Sequence, residues 1–402
     1  MSNMQNQVAE DLRMASINNN IKEKSVELKS LAKDLGELEP LNQELEQSSL
    51  LYNLRSVWEN SQGRGIKVAV LDTGLDIHHP AFPPMMINRA VRINDGKKQV
   101  GLDFVQDENG HGTHCAGIIA ARPLLRDRST WVACEPILSE FPQRADERRP
   151  KRDKKWLKLL NPDKAPGADA ETVDYEALTV KFVGVAPSCE LMIYKVTKKE
   201  TVDGIEKDYG HARMSDLALA IDDAVDNRAD IISISIQAEQ DSDQLFHSIH
   251  RALNLRKVVI CSAGNHGSLQ LKNIGYPGRY GGVITVAAHN RFGQPSAFTS
   301  NGGEVDMSAP GENVWSTWAD ASYACLSGTS MAAPWVAGLA ALILGKHRCY
   351  VENKLAQETP IRNNEEMREH LLRMAAHSGF FKPDDGYGPL SPGDYFARYS
   401  QL

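Results

Sequence analysis

The sequence has no CxxC spacing, no HExxH motif and no uninterrupted apolar run of the roughly 18 residues that a membrane helix needs. These absences exclude the common cysteine-pair zinc sites, the zincin type of metalloprotease and a membrane span. Residues 1–20 are polar and lack the apolar centre of an export signal. The chain is therefore expected in the cytoplasm. Its six cysteines, Cys115, Cys134, Cys189, Cys261, Cys325 and Cys349, are then expected as free thiols. Aromatic residues make up 7% of the chain and the net charge is −7, which points away from nucleic acid. What remains is a hydrophobic share of 42% over 402 residues, enough for one large domain or two ordinary ones.

Along the chain, Leu28, Leu31, Leu35 and Leu38 recur at helical steps, and Leu41 and Leu45 begin a second acidic helix after Pro40. Residues 1–60 hold six Lys and Arg against ten Asp and Glu. They read as a helical N-terminal segment, either regulatory or a pro-segment, and as the place where a protein partner would dock. Residues 61–402 then read as one catalytic domain. Within it, residues 122–178 form a charged insertion, whose stretch 143–158 has eight Lys and Arg against three acids. Elsewhere, β-branched runs alternate with helical patterns. Ile66–Leu71, Leu191–Val196, Ile231–Ile236 and Val258–Cys261 read as buried strands of a mainly parallel sheet covered on both faces, an α/β sandwich.

Chemistry collects at the ends of these runs. Ile66–Leu71 stops at Asp72-Thr73-Gly74, and a strand's C-terminal end is where α/β sheets place their sites. His111-Gly112-Thr113-His114 opens a small-residue helix; His111 has glycines on both sides, and His114 reads as a packed helix residue. Gly328-Thr329-Ser330-Met331-Ala332-Ala333-Pro334 precedes a long Ala/Gly-rich apolar run. A helix starting there would put the Ser330 hydroxyl at its positive end, with Pro334 tolerated near the first turn. Any one of these pieces alone would usually be a turn or packing. Together they supply an acid, a base and a hydroxyl nucleophile, the set that acyl transfer needs.

Asp72, His111 and Ser330, in that order and each within an intact motif, resemble the subtilisin-like serine proteases, the subtilase family. Their chain order is a general reference case for that family rather than something composition shows. The resemblance runs from about Gly65 to the C-terminus and implies a three-layer subtilisin-like sandwich and a serine endopeptidase acting on peptide or protein. It implies Ser330 as nucleophile, His111 as base, Asp72 as the acid orienting it, and Asn265 as the side-chain donor to the oxyanion. By the same resemblance, Ser235, Ile236 and Gln237 line one wall of the substrate cleft, with a facing edge near Asp208–His211. Ser262, Ala263 and Gly264 flank the pocket for the residue before the cut, Gly275 forms its floor, and Thr329 adjoins the nucleophile. A glycine floor predicts room for a large side chain. A non-catalytic peptide-binding module and a peptide ligase share this constellation and stay open at this level.

Three departures stand out. Gln237 occupies a place where the family usually has glycine, which predicts a narrower or more polar cleft. Trp335 stands where histidine is common. Ala81 follows His79-Pro80 where the family usually has a calcium-binding aspartate, so the first calcium site is expected to be missing; no metal-ligating residues are assigned, and calcium bound elsewhere stays open.

Overall fold

The computed structural model describes residues 24–27, 41, 54–58, 60–127, 130–133, 179–180, 182–202, 205–267, 273–352, 361–376 and 380–399. Eight strands form the central sheet: β1 Lys67–Asp72, β2 Ile87–Asn94, β3 Lys97–Val100, β4 Glu190–Lys195, β5 Ile231–Ile234, β6 Val258–Ser262, β7 Ile284–His289 and β8 Met307–Pro310. Their order in space is β8-β7-β6-β5-β1-β4-β2-β3. Every neighbouring pair is parallel except β2 with β3. β1 lies between β5 and β4, with Leu71 opposite Ile234 and Asp72 opposite Lys195.

The pleat explains the layers. Successive strand side chains point to opposite faces. Val68 and Val70 pack on one side with Ala116, Ile119, Val336 and Ala340, from helices His111–Ala120 and Thr329–Glu352. Ala69 and Leu71 pack on the other side with Leu217, Ile221, Leu245 and Ile249, from helices Met214–Asp226 and Asp243–Asn254. Both faces are buried, which is why these strands read as continuous apolar runs without polar alternation. Each such side chain contributes roughly 1.5–3 kcal/mol when fully buried. The result is the expected three-layer α/β sandwich.

One expectation about the helix that carries Ser330 needs correction, the place of Pro334. Within Thr329–Arg348 the helix is long and apolar enough by length and composition to cross a membrane, but 89% of that window is buried inside the protein. It is the central core helix; small residues such as Gly338, which lies against Val185, let it sit close to its neighbours. Pro334 is not in the first turn, because the helix begins at Thr329 and the proline lies inside it.

The N-terminal segment also differs where it is described. Lys24–Glu27 is a strand, not part of a helix, and pairs antiparallel with Ser322–Leu326, Lys24 opposite Cys325. The hairpin Val314–Trp318/Ser322–Leu326 leaves an edge with unpaired backbone groups, and that edge outweighs the local helical preference. Leu41 is buried in the core and helical. Leu54–Trp58 forms one short helix whose Leu54 and Val57 are buried, while the Trp58 indole N–H donates to the Val185 carbonyl. The leucine face at Leu28, Leu31, Leu35, Leu38 and Leu45 lies outside the described residues. So does the basic stretch 143–158. The rims of the insertion form a small antiparallel sheet of Leu124–Asp127, Thr130–Ala133 and Thr179–Val180.

Candidate active site

Asp72 is the last residue of β1, and His111 is the first residue of its helix. The two chain segments meet because Gly112 lacks a side chain: a methyl group there would collide with the backbone of Gly74. The Gly112 amide donates to the Thr73 hydroxyl at 2.7 Å, locking the junction. His111 Nδ1 and Asp72 Oδ1 lie 2.7 Å apart, with the two side chains 0% and 1% exposed. The other oxygen of that carboxylate, Oδ2, and the other ring nitrogen, Nε2, are buried and have no hydrogen-bond partner. An imidazole held through Nδ1–H by a carboxylate presents Nε2 as an acceptor.

Asp107 holds the turn before His111. Its carboxylate accepts from the amides of Asn109, Gly110 and Thr113 and from the Thr113 hydroxyl. That set satisfies donors at the helix start which would otherwise be orphaned. Gly110 there has φ 103°, a left-handed conformation that suits glycine. The sequence reading missed Asp107; its signal was an acid six residues before a threonine at a glycine turn. It also missed Lys195, which lies beside Asp72 in the sheet and is buried in an ion pair with Asp208 at 3.1 Å. Asp208 therefore faces inward, and its carboxylate is committed to Lys195.

Ser330 is the second residue of its helix and is buried. Its hydroxyl donates to the Ser235 carbonyl at 3.2 Å, while the Ser235 hydroxyl donates back to the Ser330 carbonyl at 3.1 Å. The Cys115 thiol bridges toward the histidine, 3.3 Å from the Ser330 carbonyl oxygen and 3.7 Å from His111 Nδ1. Burial foremost, then the Asp72 charge, pushes that thiol's pKa well up, so it stays neutral. Asn265 accepts from the Thr329 amide and hydroxyl through Oδ1, which leaves its amide nitrogen as the donor end. The Gly264 amide donates to the Thr329 hydroxyl, tying Gly264-Asn265 to the nucleophile's helix. His114 is the packed residue expected of it: Nε2 lies 3.1 Å from the carbonyls of Val314 and Ala324, and burial lowers its pKa to about 3.

Among the predicted cleft residues, Ser235, Ile236, Gln237, Ser262, Ala263, Gly264, Gly275 and Thr329 are all buried. The segments carrying Gln237 and Gly275 are joined by a backbone bridge between Ala238 and Tyr276.

The sequence profile described as the subtilase family matches residues 63–389. The chain belongs to the subtilase family. It is similar to an intracellular serine protease of Paenibacillus polymyxa, 32% identical over 290 residues that cover 72% of this chain and 69% of that protein. The major intracellular serine protease of Bacillus subtilis (strain 168) is 31% identical over 74% of this chain and 73% of its own length. Thermitase of Thermoactinomyces vulgaris is 29% identical over 72% and 79%. This subtilase is a subtilisin-like serine endopeptidase, a hydrolase acting on peptide or protein. The first calcium site that its family resemblance raised does not fit the residues present. Ala81 has no side-chain oxygen, is fully buried and packs in the apolar core.

Proposed function

We propose that this subtilase cleaves peptide bonds through an acyl-enzyme, with Asp72, His111 and Ser330 as its catalytic triad. The observation that carries the reading is the buried 2.7 Å contact of His111 Nδ1 with Asp72, which leaves Nε2 unpartnered as a base. The Ser330 oxygen attacks the scissile carbonyl as its proton passes to His111 Nε2. The hydroxyl leaves the Ser235 carbonyl for this step; resting enzymes commonly tighten such contacts only with substrate bound. Asp72 fixes the tautomer and stabilises the imidazolium. The Asn265 amide nitrogen and the Ser330 backbone N–H, unpaired so near a helix start, receive the negative oxygen of the tetrahedral intermediate. His111 returns the proton to the leaving amine. Water, deprotonated by the same ring, then releases the carboxylic acid and restores Ser330.

Two of the relatives above are named serine proteases, which favours hydrolysis over ligation or silent binding. Their names also carry the word intracellular, and the buried free thiols Cys115, Cys189 and Cys261 suit a reducing setting. We place the enzyme's work inside the cell, on protein or peptide. Residues 1–60 are proposed as a separate restraining or partner-binding segment, and 61–402 as the catalytic domain with its insertion.

The test is labelling with a fluorophosphonate. Wild-type enzyme should take up one equivalent on Ser330 and lose activity, and Ser330→Ala should take up none and cleave nothing while melting as the wild type does. Ordinary turnover by pure, folded Ser330→Ala would end the mechanism.

A further inference from the structure

The pocket beside the nucleophile is not the open slot that two glycines predict. A methyl group placed on Gly264 would collide with the Oε1 and Nε2 atoms of Gln237. One placed on Gly275 would come within 3.0 Å of Gln237 Oε1 and 3.2 Å of its Cβ. The amide of Gln237 thus fills the space that both glycines leave empty. The side chain is 7% exposed, and its Oε1 is buried without a hydrogen-bond partner. Buried carbonyl oxygens normally find a donor, and one without a partner costs free energy until a donor arrives.

The location makes the missing donor a substrate group. Gly264 is adjacent to Asn265 and bonded to Thr329. Gln237 is two residues beyond Ser235, whose carbonyl holds the Ser330 hydroxyl. An acyl group on the Ser330 oxygen, with its own oxygen toward Asn265, lies between the segments 235–237 and 262–265. Its side chain must enter the space over Gly264, where it meets the Gln237 amide.

We propose that Gln237 is the specificity-determining residue of this pocket, so that the enzyme cuts after short side chains that can donate a hydrogen bond, such as threonine, serine or asparagine, and not after large apolar ones. The proposal rests on the protease reading above. Size and polarity act together. The amide shortens the pocket, which excludes phenylalanine and leucine. The buried acceptor penalises any short side chain that leaves it unpaired, and sites of this kind discriminate more sharply than purely apolar ones.

The experiment uses full-length enzyme, its active sites counted by fluorophosphonate titration, and peptides that differ only in the residue before the cut. Wild type should favour threonine and asparagine over leucine and phenylalanine by about tenfold or more in kcat/KM. Gln237→Gly should reverse this, with phenylalanine gaining about tenfold or more. Gln237→Met keeps the length and removes the amide; it should lose the preference for donors while still rejecting phenylalanine. The proposal is overturned if titrated wild type cuts after phenylalanine or leucine as well as after threonine or asparagine, or if Gln237→Gly keeps the wild-type profile. An enzyme that takes no label and cleaves nothing would overturn the protease reading with it, and the titration tells the two failures apart.

Discussion

Pro334 stands one turn after Ser330 and cannot give the amide hydrogen that an α-helix would direct at the Ser330 carbonyl. That carbonyl takes the Ser235 hydroxyl and the Cys115 thiol instead. A helix-breaking residue thereby frees an acceptor, and two neighbouring segments use it to grip the nucleophile's backbone. Ser235→Ala removes one of the grips, worth about 1 kcal/mol. We expect kcat to fall by about three- to tenfold, with KM less affected, because the loss falls on the orientation of Ser330. Steady-state kinetics on one peptide checks this; a change confined to KM would show that Ser235 serves binding alone.

Cys115 touches both His111 and Ser330, and its sulfur lies within 4.8 Å of the ligand atoms of Asp72 and His111. A mercurial bound there should displace His111 and inhibit at one equivalent, and Cys115→Ala should resist. Iodoacetamide, which needs a thiolate, should react slowly with the folded enzyme because burial keeps the thiol protonated. Full activity after stoichiometric mercuration of Cys115 would refute the contact.

Acid should destabilise the fold through two buried histidines. Burial lowers His114 to about 3 and His79 to about 4. Both ring nitrogens of His79 are committed in the neutral form: Nδ1 accepts from the Ala81 amide, and Nε2 faces the Ser322 carbonyl. These folded values lie below the ordinary histidine value, so the unfolded chain takes up protons that the folded one refuses. The stabilisation is complete above about pH 6.5 and is lost as pH falls toward 4, by about 1.4 kcal/mol per pH unit for each ring. Denaturant titrations at several pH values should show His114→Gln with a slope smaller by about one proton. An unchanged slope would remove His114 from this account.

The N-terminal segment can be divided by truncation at Leu51, which keeps the buried Leu54–Trp58 helix and removes the strand Lys24–Glu27. If the segment restrains the enzyme, the shortened form should cleave a short peptide faster than the full chain. Equal rates from a folded truncated form would leave the strand as a stability or partner-binding element.

Chelation should leave the melting temperature unchanged, since Ala81 offers no ligand where the family's first calcium site would be. A marked drop with EDTA would reveal a calcium site built elsewhere.

Much of this molecule could be read in the residues. Strands buried on both faces announce themselves as β-branched runs, and the motifs around Asp72, His111 and Ser330 lie at element ends that backbone physics recognises. What escaped were facts of the third dimension. Lys24–Glu27 became a strand because a distant hairpin offered an open edge, which no local periodicity records. Asp107 works within its own turn, which no fixed motif marks, and Lys195 acts through Asp208 on a neighbouring segment. The glycine floor at Gly275 predicted room and Gln237 predicted a narrower cleft; only the structure shows that the Gln237 amide lies against both Gly264 and Gly275.

The pairing of Lys24 with Cys325 also bears on how the chain is made. A ribosome releases Lys24–Glu27 well before its partner Ser322–Leu326. The contact closes the loop from Lys24 to Cys325, and such remote pairings are slow to form. Ser322–Leu326 leads straight into Ser330, so the stitch and the nucleophile are completed together. A nascent chain that has exposed Asp72 and His111 still lacks both. On the mechanism proposed above, a chain that ends before Ser330 has no nucleophile with which to form the acyl-enzyme.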